Sequence, residues 1–272
     1  MMKSNSFKGN FEKFDMMVLG VKSDAYRVQF VNGFNKNVIG VLGERAVDSI
    51  TTRDVVKLID GISSNSVSNR VLSGLVSFLG WCCGRGECLS NVAAGIPRRV
   101  EVSRDVLIDV VELSDDVVNS GVMLEEVSDI LKVMMLTGLR HGTIRKLSSV
   151  NVCGDNLVIC KSIVKNRRDL VVPMLGEVKL IMMKYESGFT VSGVKMSKEL
   201  SKTGVDWTCH DIRHLIGTNL GQMRVESTLI SRILGHAVKG STEIYNHHNY
   251  VDEKREVLCD LRDRFIDSGM AF

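Results

Sequence analysis

Apolar positions recur at helical spacing through most of the chain and give way to a strand-like pattern in one place. Near the start, Phe11, Phe14, Met17 and Val18 have that spacing, and Asn32-Gly33 reads as a turn. Thr51-Thr52-Arg53-Asp54 has the form of a capping box, with Asp in the acidic position, ahead of Val55, Val56, Leu58 and Ile59. Gly61 ends that helix, and Asn65 or Ser66 can cap a second. Its apolar side is Val67, Val71, Leu75, Phe78, Leu79 and Cys82, with Gly84 and Gly86 past its end. From Ala93 to Arg99 the period is lost, one of the two prolines appears and two arginines stand together, which marks a linker.

Beyond the linker, Leu124, Val127, Ile130, Leu131, Met134 and Met135 predict a helix over roughly 122–136 that stops at Thr137-Gly138. Residues 156–160 and 169–173 read as two strands, with Lys165-Asn166-Arg167-Arg168 as a cationic turn between them. Lys161 is placed mid-strand on the surface. Helices are expected around 177–186 and 193–202, from His210 onward, after Ser227 as cap, and over 252–266. The pattern therefore predicts a mainly α fold with a small antiparallel β-sheet. It divides into an N-terminal segment 1–40 (an arm or a truncated domain), a helical domain 41–95, a linker 96–104 and a second domain 105–272.

Composition adds little to this and removes some classes. The 272 residues are 44% hydrophobic and 25% charged, an ordinary globular balance. Aromatic content of 6% beside 13 methionines predicts aliphatic cores. No apolar run is long enough to cross a membrane and no signal region follows Met1, so a cytoplasmic protein is expected. Seven cysteines without a CxxC pair argue against a disulfide framework or a zinc site. Net charge is only +3, yet residues 1–100 carry 13 basic and 8 acidic side chains against 22 and 24 in the remainder. That N-terminal excess fits phosphate contact, with Arg53, Lys57 and Arg70 on helix faces and Arg98 and Arg99 in the linker as candidates. A solvated face or an interaction domain would carry the same charges.

Chemistry concentrates near the C-terminus. His210 and Arg213 lie three residues apart on one helix face, His236 follows 23 residues later and Tyr245 nine after that. Taken singly, each has an ordinary use: a core histidine, a surface ion pair, a helix C-cap, a half-buried tyrosine. Arg140, just after Gly138, would alone be a cap on a helix dipole.

Taken in order, Leu136-Thr-Gly-Leu-Arg140, His210-Asp-Ile-Arg-His214, Leu234-Gly-His236 and Tyr245 resemble the signature of the tyrosine recombinases, or phage integrases. Ser241 to Tyr250, followed by Asp252-Glu-Lys-Arg255, is similar in particular to the P4-like integrases of prophages and genomic islands. The resemblance spans about residues 44–266. It implies a helical core-binding (SAM-like) domain ahead of an α+β catalytic domain. It implies that Tyr245 attacks a DNA phosphodiester to give a 3′-phosphotyrosyl link, and that Arg140 and Arg213 clamp the non-bridging oxygens. Lys165, eight residues before Pro173, would be the general acid, His210 would assist proton transfer and His236 would bond the phosphate. Arg167 and Arg168 flank that lysine as DNA contacts. The covalent link conserves bond energy, so no cofactor and no metal is implied. The implied partners are double-stranded attachment sites, a homotetramer on synapsed DNA with a Holliday-junction intermediate, and a directionality factor in the nucleoid, with no membrane. In one position the chain departs from the family, with Thr143 where an acidic residue is usual. Two further readings remain at this stage: a degenerate, non-cleaving DNA-binding regulator, and a relaxing enzyme like the type IB topoisomerases.

Overall fold

The computed structural model describes residues 5–102, 108, 110–113, 121–164, 169–236 and 248–272. The chain forms two compact units, Met1–Arg104 and Asp105–Phe272. The first holds helices α1 (Phe7–Phe14), α2 (Asp24–Phe34), α3 (Gly40–Leu42), α4 (Thr52–Asp60) and α5 (Asn65–Gly84). Two π-helical turns, Asp15–Leu19 and Asn35–Ile39, continue α1 and α2. The capping box that opens α4 forms as the sequence predicts, with Thr51 N–H donating to Asp54 Oδ2 at 2.9 Å. α5 is capped one residue earlier than expected, by Ser64.

Two expectations fail in this unit, for one reason. Asn32-Gly33 is no turn but lies inside α2. The core is not purely aliphatic: among buried Leu, Val and Ile side chains, Phe11 stacks on Phe34 at 4.8 Å, Phe30 on Phe34 at 4.7 Å, and Phe7 meets Phe78 edge-on at 4.7 Å. A chain-wide average conceals that the rings gather at one end of the sequence. Their contacts hold α2 helical through a glycine that local propensity would use as a breaker. Gly74 on α5 makes the approach feasible, since a Cβ there would lie 2.5 Å from a ring carbon of Phe34. The described part of the segment 1–40, expected to stand apart, thus shares one core with α4 and α5. Residues 99–101 of the expected linker are fastened to α5: Asn69 donates to Arg99 O at 2.8 Å and Asn65 to Val100 O at 2.9 Å.

The second unit contains α6 (Val110–Leu113), α7 (Glu125–Thr137), α8 (His141–Ile144), α9 (Gly176–Lys184), α10 (Gly193–Lys202), α11 (Cys209–Gln222), α12 (Ser227–Ile233) and α13 (Val251–Asp267). Strands β1 (Val152–Cys153), β2 (Asn156–Ile159) and β3 (Leu170–Pro173) form an antiparallel sheet in the order β1-β2-β3, with Leu157 opposite Val172. The fold is mainly helical with a small antiparallel sheet, as expected. β1 was missed because two residues carry no period. Lys161 is not mid-strand: β2 ends at Ile159, and Lys161 lies in the turn beyond it. At the start of α12, Glu226 occupies the cap position expected of Ser227.

The core of this unit is aliphatic and methionine-rich, with Val127, Ile130, Met134, Met135 and Ile216 fully buried. α13 lies against its own chain. Leu258, Leu261 and Phe265 enter the core, and Arg255 donates to Met174 O at 3.1 Å and to Asp155 O at 3.0 Å. Lys254 is buried as well, its ammonium donating to Val171 O of β3 at 3.0 Å.

Candidate functional site

Three helix ends of the second unit meet around Arg213. α7 stops at Gly138, which adopts a left-handed conformation (φ 68°) and donates to Met134 O at 2.8 Å. Glycine is required there by φ, and by Ile233 Cγ2, which a Cβ would approach to 3.1 Å. α12 stops in a Schellman turn, with Gly235 (φ 59°) donating to Arg232 O at 3.1 Å and His236 to Ser231 O at 2.8 Å. α11 begins in a capping box between Thr208 and Asp211, which sets His210 and Arg213 in its first turns.

Arg213 is only 5% exposed and has no carboxylate partner among the described residues. Its guanidinium instead donates to the carbonyl of Gly138, to that of Leu234 at 2.6 Å, and lies 3.2 Å from His236 Nε2. Both carbonyls stand at helix C-termini, where unpaired C=O groups give the negative end of the dipole. A buried cation is thereby compensated without a counter-ion. Burial first, and Arg140 second, hold Arg213 down at about 10. Its Nε–H has no partner among the described residues.

The other candidates lie at the same helix ends. Arg140 is half-buried and precedes α8, with its carbonyl accepting from Thr143 N–H at 2.8 Å. Its side chain makes no hydrogen bond or ion pair among the described residues. His210 and His236 are exposed, and both are held below the ordinary imidazole range. For His210 the causes are partial burial, then the charges of His214, Arg213 and Arg140 outweighing Asp211. For His236 they are burial, Arg213, Arg140 and His210. His214 packs edge-on against His210 with ring centroids 4.8 Å apart. Thr143 is buried and brings no negative charge. Among the described residues the result is two arginines beside two imidazoles held below their ordinary range, with little to balance them, a setting that favours an anion.

The structure therefore brings Arg140, His210, Arg213 and His236 together. Lys165, Arg167, Arg168 and Tyr245 lie outside the described residues. Of the proposed DNA contacts in the first unit, Arg53, Lys57, Arg70 and Arg98 are exposed. Arg99 has a structural use that the sequence reading did not foresee. Its guanidinium closes the C-terminal end of α4, donating to Ile62 O at 2.6 Å and Ile59 O at 2.8 Å, with Asp60 at 3.5 Å. The carbonyls of Gly138 and Leu234 were also missed. Main-chain groups carry no residue-type signal, although the glycine beside each was in the motifs.

The model of the phage integrase family matches residues 187–251. Prophage integrase IntZ of Escherichia coli K12 is 24% identical over 292 aligned positions, covering 97% of this chain and 72% of that protein. Tyrosine recombinase XerA of Saccharolobus solfataricus is 24% identical over 148 residues, 50% of this chain and 48% of that one. The integrase of Shigella phage Sf6 is 28% identical over 149 residues, 47% of this chain and 38% of that one. The chain thus spans half or less of the length of XerA and of the Sf6 integrase. In fold it is similar to lambda integrase (75–356), solved as a dimer bound to a COC′ core site. The TM-score is 0.71 at 14% identity, covering 86% of this chain and 96% of that one. A lambda integrase tetramer bound to a Holliday junction matches with a TM-score of 0.68 at 14% identity, over 88% and 76% of the two chains.

Proposed function

Because the chain belongs to the tyrosine recombinase, or phage integrase, family, we propose that it is a site-specific DNA recombinase that integrates or excises a mobile element. The observation that carries this reading is the cluster at converging helix ends of two arginines, Arg140 and Arg213, with His210 and His236, little balanced by negative charge among the described residues. A DNA phosphate supplies the missing negative charge. Arg140 and the Nε–H of Arg213 bond its non-bridging oxygens, whose charge grows as the phosphorus becomes five-coordinate. Arg213 needs no adjustment to do so, since two carbonyls already fix its plane.

His236, neutral beside two arginines, accepts from Arg213 at Nε2 and turns Nδ1–H toward a phosphate oxygen. His210, likewise neutral, assists the proton leaving Tyr245. The tyrosine oxygen attacks phosphorus, the bond to the 5′-oxygen breaks, and Lys165 delivers a proton to that oxygen. The 3′-phosphotyrosyl link conserves the bond energy for the reverse attack by a 5′-hydroxyl of the partner duplex. Two rounds of exchange pass through a Holliday junction within a tetramer.

The test uses a nicked duplex bearing the crossover site read from the junctions of the element that encodes the protein. Wild type should give a protein–DNA adduct that survives detergent, and Tyr245→Phe should give none. Absence of the wild-type adduct favours a non-cleaving DNA-binding regulator, the reading to which Thr143 lends support. An adduct in Tyr245→Phe overturns the choice of nucleophile. Lys165→Ala should slow cleavage of ordinary DNA far more than cleavage of a substrate with a good 5′ leaving group. Equal slowing removes Lys165 from the acid role.

A further inference from the structure

The first unit contains a sulfur pair that the recombinase chemistry does not use. α5 ends in a Schellman turn: Gly86, at φ 76°, donates to Cys83 O at 3.0 Å, and Glu87 donates to Cys82 O at 3.0 Å. This reversal returns the chain over the last turn of the helix. Cys88 comes to lie with its Sγ 2.8 Å from Cys83 Sγ and 3.8 Å from Leu79 O. Both side chains are half-buried, whereas Cys82 beside them is fully enclosed. Only a short approach separates the pair from the roughly 2.0 Å of an S–S bond. No other cysteine pair among the described residues stands in hydrogen-bond contact.

We propose that Cys83 and Cys88 are a modification site, a reversible disulfide that staples the C-terminal end of α5 to the turn behind it. The oxidant is a small-molecule disulfide. One cysteine thiolate attacks it, its S–S bond breaks, and a mixed disulfide forms as one small thiolate leaves. The second cysteine attacks the protein sulfur of that mixed disulfide and expels the other small thiolate. The two protons lost by the cysteines go to the two departing thiolates. Burial and the neighbouring Cys83 push the Cys88 thiol up to about 12. The bond fastens the stretch leading to Arg98 and Arg99 to the helix that carries Arg70.

Trypsin cleaves after Arg85, between the two cysteines, and gives fragments 71–85 and 86–98. The full-length protein is equilibrated with mixtures of oxidised and reduced glutathione, quenched with acid and N-ethylmaleimide, digested and weighed by mass spectrometry. The expected result is a linked pair of these fragments that dithiothreitol separates. It should form in folded protein at a ratio of oxidised to reduced glutathione at least about tenfold lower than in urea-unfolded protein. Cys82→Ala should retain the link, while Cys83→Ser and Cys88→Ser, folded by circular dichroism, should lose it. The proposal is overturned by no linked pair in folded wild type, by a link that persists in Cys83→Ser, or by equal ratios with and without urea. Each wild-type arm stands even where a variant fails to fold.

Discussion

The two units bury different things. In the first, the enclosed polar side chains among the described residues are Ser6, Asn10, Ser68 and Asn69, all neutral, and the core joins a cluster of stacked and edge-on rings to aliphatic side chains. In the second, Asp129, Glu199, Arg213 and Lys254 are buried amid aliphatic and methionine side chains. Asp129 accepts from Lys184 at 2.7 Å and from Tyr185 at 2.8 Å, and Glu199 pairs with Lys202 at 2.6 Å. Arg213 and Lys254 rely on carbonyls alone for charge compensation among the described residues. Neutral burial serves stability. Buried charge costs desolvation and is retained where a fixed cation has work to do.

The largest effect that can break this contrast is on activity. Arg213→Ala should lower adduct formation by about 100- to 1,000-fold, the loss typical of a donor aimed at developing charge. Arg213→Lys should fail to restore it, because an ammonium cannot meet two carbonyls and a phosphate in one plane. Recovery by lysine would show that only net charge matters.

The largest effect expected on stability is that of Phe78→Ala, which removes a ring contacting Phe7, Phe11 and Phe14 and should destabilise the first unit by about 3–5 kcal/mol. Each unit has one tryptophan, Trp81 and Trp207, so denaturation of single-tryptophan variants reports on each separately. Equal shifts at both probes would show that the contrast is not a property of separate units.

Lys254→Met should work in the opposite direction and stabilise the second unit by about 2–3 kcal/mol near neutral pH. The ammonium titrates at about 8 in the folded chain against an ordinary 10.5, chiefly because it is desolvated, with Arg232 adding to the effect. Between those two values the unfolded chain holds a proton that the folded chain has lost, so wild-type stability rises with pH across that window. The advantage of methionine should be full below pH 8 and should fade toward pH 10.5. A constant difference from pH 6 to 10.5 would refute the charge as its origin.

The smallest effect, about 1–2 kcal/mol of destabilisation, is expected for Gly138→Ala, through left-handed strain and crowding of Ile233. Adduct formation should fall further than stability alone requires, because the carbonyl held by Arg213 moves. Strictly parallel losses would separate the α7 stop from the site.

These contrasts also explain what could be read from the sequence. Thr51 with Asp54, the α7 period, both long strands and α13 were legible because caps and periods are local. The histidines, Arg140 and Arg213 were found by motif order. Their use of main-chain carbonyls was not, because Gly138 and Leu234 lie 75 and 21 residues from Arg213 along the chain. α2 was hidden by Gly33, which only tertiary ring packing overrides. Lys254 and Arg255 belonged to a quoted motif, but nothing in Asp252-Glu-Lys-Arg255 says that two of its cations turn inward against a sheet.

Arg213 has one more consequence. Its acceptors come from α7 and α12 and its own anchorage from α11, so the guanidinium has no settled orientation until all three have docked. Loop closures of 75 and 21 residues must come first. A nascent or partly unfolded chain retains the motif but not the clamp. For the recombinase proposed above, competence to cut DNA and completion of the domain would then be a single event, an interlock against breakage of the genome by unfinished protein.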